Sequence, residues 1–130
     1  MKRGRRVFLS YAQSDRLVAK KLAKDLTAGG YTVWSDQEVL PGDNWARKVA
    51  TALDESDAMV VIVSPAAAKS ESVRREVQFA LGSPRYANRL IPVVVEPTRE
   101  MWILSKLQPV IAKKHNGEVS QQVIEALRAR

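Results

Sequence analysis

Apolar and polar positions along this chain fall into blocks that switch between a strand period and a helix period. Val7–Ser10 is a short apolar run that reads as a strand. After it Ser14-Asp15 offers an N-cap, and Val18, Leu22 and Leu26 recur on one side with Ala19 and Ala23 beside them. This spacing predicts a helix to about Thr27, ended by a left-handed cap at Gly29-Gly30. Tyr31–Trp34 is a second strand, followed by the polar loop Ser35–Asp43. A second helix is expected from near Asn44, capped by Asp43, with Ala46, Val49, Ala50 and Leu53 at helical spacing. Ala58–Val63 is uninterruptedly apolar, as in a strand covered on both faces. Past Ser64-Pro65 the pattern turns helical again, until Gly82-Ser83-Pro84 stops it. Leu90–Val95 is a fourth strand, closed by Glu96-Pro97. A short helix around Met101–Leu107, a brief strand Val110-Ile111-Ala112 and a final helix marked by Val119, Val123 and Leu127 complete the order.

Five short strands alternating with helices imply a parallel sheet with helices on both faces. The count fits a doubly wound α/β fold of the flavodoxin-like kind, with strand order 2-1-3-4-5. In that order a crevice opens beyond the carboxyl ends of strands one and three. It would be bordered by Ser10-Tyr11-Ala12, by Ser64-Pro65 and by the loop Ser35–Asp43. The helix after strand three faces this place.

That helix carries Glu76. Val73, Val77, Ala80 and Leu81 mark its buried face, and at 100° per residue Glu76 lies roughly 85° from the centre of that face. The reading is a boundary position, neither fully solvated nor fully buried, where a carboxylate can meet a ligand. An ordinary surface-helix glutamate is the competing reading. Glu71 has Arg75 at i+4, an ordinary surface pair. Glu76 has only Ser72, Val73, Phe79 and Ala80 at its i±3 and i±4 positions, so no cation of its own helix answers it.

Composition narrows the chemistry. A chain of 130 residues makes one domain with a real core, and 45% hydrophobic with 27% charged residues is ordinary for a globular protein. With no cysteine there is no disulfide framework, thiol nucleophile or cysteine-based zinc site. His115 is the one histidine, in a turn-like Lys113-Lys114-His115-Asn116-Gly117 setting that reads as solvated, so a histidine metal cluster or a histidine-based triad is disfavoured. The basic tail of residues 1–6 runs into too short an apolar stretch for a signal peptide, and no stretch is long enough to span a membrane. A cytoplasmic location is the default expectation.

The formal charge of +7 is spread over the N-terminus, Lys20-Lys21-Lys24, Arg74-Arg75 and the tail. Interleaved aromatics suited to base stacking are missing, so nucleic acid is disfavoured against a basic solubilising surface. A bias toward an anionic small molecule is the weaker alternative. No G-x-G-x-x-G follows the first strand, and neither G-x-x-x-x-G-K-[ST] nor G-x-S-x-G occurs. The strand ends hold Ser10-Tyr11 and Ser64-Pro65, where a phospho-accepting receiver would need acids.

Four segments, in order and spacing, resemble the TIR (Toll/interleukin-1 receptor) domain family. Phe8-Leu9-Ser10-Tyr11-Ala12-Gln13-Ser14-Asp15 is similar to its first box. Val33-Trp34-Ser35-Asp36 with Pro41-Gly42-Asp43-Asn44-Trp45 resembles its second strand and long loop. Ser56-Asp57 followed by Val60-Val61-Ile62-Val63-Ser64-Pro65 resembles its third strand. Ser70-x-Ser72-Val73-x-x-Glu76 resembles the segment carrying its glutamate. The likeness covers residues 5 to about 97 and fades afterwards. The usual tryptophan four residues before the glutamate is Ser72 here, which removes an aromatic wall. A stand-alone, prokaryotic-type member is the expectation.

The resemblance implies an NAD+ nucleosidase, a glycohydrolase or ADP-ribosyl cyclase that cleaves the nicotinamide–ribose bond in prokaryotic immune signalling against phage. NAD+ is then the substrate, and no cofactor is implied. Glu76 would be catalytic. Ser10, Tyr11 and Ala12 would border the ribose and nicotinamide, and Ser70 would add a hydroxyl contact. Trp34 and Trp45 are stacking candidates. Core packing outweighs contact for Trp34 and balances it for Trp45. Asp36 is weighed equally as a ribose ligand and as a loop cap, and Gly42 permits a turn. The resemblance also implies self-association with other TIR domains through the 35–43 loop and neighbouring helices. A non-catalytic TIR–TIR scaffold is the first alternative, and a nucleoside-processing enzyme of similar fold is the second.

Overall fold

The central strand dictates the architecture. In the computed structural model, which describes residues 6–36, 42–112 and 118–129, every residue of β3 (Ala58–Val63) is buried. Its alternate side chains feed two separate cores. Met59, Val61 and Val63 join Phe8 of β1 (Arg6–Ser10) beneath α2 (Trp45–Glu55), α3 (Pro65–Lys69) and α4 (Glu71–Leu81). Val60 and Ile62 join Val7 and Leu9 beneath α1 (Arg16–Ala28) and α5 (Glu118–Ala129). The sheet is completed by β2 (Thr32–Trp34), β4 (Leu90–Val94) and β5 (Val110–Ile111). All pairings are parallel, and the five strands run in the order β2-β1-β3-β4-β5. This is the flavodoxin-like, doubly wound sheet.

Burial on both faces explains why the strands read as continuous apolar runs. On the α2–α4 side Tyr86 fills the space under α4, and its hydroxyl donates to the Leu53 carbonyl at 2.5 Å, satisfying a buried polar end. Gly30 takes the left-handed conformation expected after α1, with φ of 97°.

Local details differ from the sequence reading in four places. Asn44, rather than Asp43, caps α2: its side chain accepts from the Arg47 amide at 3.0 Å. The helical stretch after β3 is two helices, because Ser70 leaves the α conformation and caps α4 instead of continuing α3. Asp15 stands at the start of α1 without a side-chain cap bond, its carboxylate being engaged elsewhere. The segment expected as a helix over Met101–Leu107 is a 3-10 stretch, Arg99–Lys106, kinked at Met101. His115, the tail residues 1–5 and residues 37–41 of the 35–43 loop lie outside the described residues. Among the described residues no helix is long and apolar enough to cross a membrane.

Candidate active site

Strand alternation aims the site. In β1, Phe8 points to the α2–α4 side, so Ser10, two residues on, points there too. From above, α4 presents Val73, Val77 and Ala80 to the core, with Glu76 beside Val77. The helix is set by Ser70, whose hydroxyl accepts from the Val73 amide at 3.3 Å and also contacts the Ser72 hydroxyl at 3.2 Å. The result brings the Ser10 hydroxyl to Glu76 Oε1 at 2.7 Å, inside the protein. Glu76 is 1% exposed. It is therefore a buried acid and not the boundary residue that helix geometry alone implies, since the carboxyl end of β1 covers the side the helical wheel leaves open.

The second oxygen, Oε2, is buried and has no hydrogen-bond partner. Burial pushes the Glu76 carboxyl up to about 8, the charge of Asp36 adds to the rise, and the Ser10 hydroxyl opposes it. Relative to an ordinary glutamate, a displacement of that size favours the neutral form by an additional few kcal/mol, on the order of 5. Burial thus favours the neutral form of Glu76. A cation brought against it would restore its charge.

Asp36 follows β2 at the sheet edge and stands close enough to act on Glu76. Ala12 lies in the core on the Glu76 side, whereas Tyr11 packs into the opposite core, against α1. Trp34 is half-buried, with its ring tilted 39° on Phe8 at 5.3 Å between centroids. Trp45, the first residue of α2, is half-buried against the same core. Gly42 is exposed with φ of 92°, and a Cβ there would meet nothing, so its requirement is backbone conformation alone. The structure therefore gathers Ser10, Asp36 and Glu76 into one place, uses Ser70 as a helix cap, and sends Tyr11 to the other side.

One contact escaped the sequence reading. The Ser64 hydroxyl, at the exit of β3, donates to the Asp15 carboxylate at 2.5 Å while accepting from the Ala67 amide at 3.0 Å. It ties the exits of β1 and β3 together. The signal was present, because strand order 2-1-3 makes these exits neighbours, but Asp15 also suits a helix start.

Two open clefts, of about 820 Å³ and about 490 Å³, lie elsewhere. The first is bordered by Gly82, Asn88, Leu90 and Lys106, and the second by Arg6, Trp34, Arg47 and Lys48. Neither reaches Ser10, Asp36 or Glu76. The buried, half-satisfied carboxyl of Glu76 sits instead at the carboxyl end of β1.

Comparison with known proteins bears on this arrangement. The sequence profile of the family described as TIR domain matches residues 7–127. No curated protein sequence matches the chain. The TIR domain of the Toll-related receptor TRR-2 from Hydra magnipapillata is 20% identical and superposes with a TM-score of 0.77, over 94% of this chain and 97% of that one. A metazoan TIR-STING receptor from C. gigas, solved in complex with 2',3'-cGAMP, is 20% identical with a TM-score of 0.70. That match takes in 93% of this chain but 38% of the receptor. The TIR domains of the activated Roq1 resistosome, which recognises the pathogen effector XopQ, are 18% identical with a TM-score of 0.62, over 95% and 79% of the two chains. At such identities the likeness to these structures is one of fold.

Proposed function

The chain belongs to the TIR domain family, and from that premise we propose that it is an NAD+ nucleosidase in which Glu76 stabilises the cleavage of the nicotinamide–ribose bond. The observation that carries this reading is the state of Glu76: one oxygen held by Ser10, the other buried with no partner, at the carboxyl end of β1. A carboxyl kept so is poised for a ligand rather than for the fold.

The chemistry suits a single acid. Nicotinamide departs from a pyridinium cation as a neutral base, taking the bonding electron pair onto its ring nitrogen. No general acid is required, in contrast to the two carboxyl groups of most glycosidases. Positive charge develops on the ribose anomeric carbon, and an anionic Glu76 stabilises it or holds the ribose hydroxyls in a reactive pose. Water then adds to that carbon and releases a proton, giving ADP-ribose; attack by a nitrogen of the same molecule's adenine gives the cyclic product. The pyridinium of the incoming substrate favours the charged form of Glu76 by its own positive charge. Ser10 fixes Oε1, so Oε2 is the oxygen left for the substrate. A place in prokaryotic immune signalling goes with this reading through the family resemblance.

The test is nicotinamide release from NAD+ by the purified protein, with Glu76→Gln as control. Removal of an electrostatic stabiliser of this kind costs about 10²–10³ in rate. A second reading, a TIR–TIR scaffold without turnover, draws on one observation: neither of the two clefts among the described residues reaches Glu76. Stable assembly with no nicotinamide release at any protein concentration would establish the scaffold and end the enzymatic reading.

A further inference from the structure

We propose that the cleft between the edge strand β2 and α2 is a second ligand site, one that takes a nucleoside phosphate, with its ring against Trp34 and its phosphates on Arg47 and Lys48. The site stands apart from Glu76 and does not depend on the NAD+ reading.

The cleft follows from where the sheet ends. β2 is the edge of the order β2-β1-β3-β4-β5, and α2, which leads on to β3, packs against β1. The outer margin of β2 is left uncovered, with Thr32 exposed and Trp34 half-buried. In the parallel pairing Arg6 stands opposite Thr32 and Phe8 opposite Trp34, and alternation sends all four to the α2 face. From the helix, Arg47, Lys48, Thr51 and Glu55 recur at i, i+1, i+4 and i+8, one helical stripe turned to the same opening. The space between measures about 490 Å³, within the range of about 300–1,000 Å³ usual for small-molecule sites.

Charge and shape select the ligand. Glu55, the carboxylate on the wall, is already held by Arg6 at 3.3 Å. Arg47 and Lys48 are exposed and join no ion pair among the described residues. The hydrogen bond of Arg47 to Asn44 uses its backbone amide and leaves the guanidinium. Both cations occupy the first turn of α2, which carries no acid, although the helix dipole disfavours positive charge there. In α4 and α5 that turn holds Glu71 and Glu118 instead. Cations set against the dipole serve the fold poorly and an anion well. A guanidinium fork beside an ammonium is a pairing that phosphate oxygens accept. Trp34 supplies the other half: its ring rests on Phe8, at 5.3 Å between centroids, and borders the cleft as a flat apolar surface for a base. Thr32 and Thr51 add hydroxyls to the walls. A bare anion would leave the indole unused, and a neutral ring would leave the cations unanswered. A nucleoside phosphate meets both.

ADP serves as the probe, with adenosine and inorganic pyrophosphate as its two halves. In ¹⁵N-labelled protein, ADP should shift the Trp34 indole N–H and the amides of Arg47, Lys48 and Thr51 along one saturable curve. Each half alone should bind about tenfold more weakly or worse, and so should ADP to the double variant Arg47→Gln, Lys48→Gln. Rising salt should weaken ADP binding to the wild type. Both side chains are exposed, and unchanged amide shifts away from the cleft report that the variant keeps its fold; Arg47→Ala and Lys48→Ala singly give the same reading in smaller steps. Shifts centred on Ser10 and Glu76, equal ADP affinity in the double variant, or pyrophosphate binding as tightly as ADP would overturn the proposal. So would the absence of a saturable shift at millimolar ADP. A short single-stranded oligonucleotide that displaces ADP at a lower concentration than ADP itself requires would assign the cleft to nucleic acid and overturn it as well.

Discussion

Ser10 and Glu76, 66 positions apart in the chain, meet at 2.7 Å in the buried interior, joining the end of the first strand to the middle of α4. The hydroxyl is the hydrogen-bond donor the structure gives to this carboxyl, and it favours the charged form that burial and Asp36 oppose. Replacing it by Ser10→Ala should therefore raise the Glu76 titration further and lower turnover at neutral pH. We expect a loss of stability of about 1–3 kcal/mol, that of a buried acceptor losing its donor. Denaturant melts and a pH–rate profile of the variant check both parts, and a rate equal to the wild type at neutral pH would contradict them.

On the proposed NAD+ reading, the pH dependence of turnover should have a definite shape. The free enzyme sets kcat/KM and the substrate complex sets kcat. With Glu76 at about 8 when empty, kcat/KM should climb with pH up to that region. The kcat limb should lie at lower pH, because the bound pyridinium favours the anion. Binding of a non-cleavable carbocyclic analogue of NAD+ near neutral pH should then release a proton to the medium, which calorimetry in buffers of different ionisation enthalpy measures. Binding without proton release would refute the charge coupling.

Stability should move the opposite way. Folding raises the Glu76 carboxyl from 4.5 to about 8, so between those values the native chain holds a proton that the unfolded chain has lost. The stability present at acidic pH is lost as pH rises through this window, by up to ~1.4 kcal/mol per pH unit. Glu76→Gln keeps the shape and removes the titration. Its melting temperature should fall less than that of the wild type between mildly acidic and mildly alkaline pH; parallel melting curves would show that Glu76 does not titrate in this range.

Ser72 stands one turn before Glu76 on α4, half-buried, with its hydroxyl on Ser70. The aromatic wall usual in the family is missing here. Ser72→Trp should supply a ring for nicotinamide or ribose to pack on, worth about 0.5–1.5 kcal/mol, and so lower KM roughly two- to tenfold. An unchanged KM in a folded variant would place the substrate elsewhere.

The family resemblance implies that a neighbouring copy completes the site through the 35–43 loop. Specific activity should then rise with protein concentration. A dilution series with constant specific activity would assign the whole site to one chain.

Much of this protein is written locally in its sequence. The uninterrupted run Ala58–Val63 announces a strand covered on both sides, and the helical spacing of Val73, Val77 and Ala80 announces the buried face of α4, because burial and periodicity are properties of a few adjacent residues. The five strands and their order follow from such runs and from the short crossovers between them. The glutamate itself was legible through its segment. Its environment was not. A helical wheel knows one helix, and on that helix Glu76 is a margin; only the packing of α4 over the ends of β1 and β2 makes it a buried acid beside Ser10 and Asp36. The same limit hid the Ser64–Asp15 bond and the turning of Tyr11 to the other core. Proton affinity depends on which dipoles and charges surround a group in space, and parallel register, which no local pattern encodes, decides those neighbours.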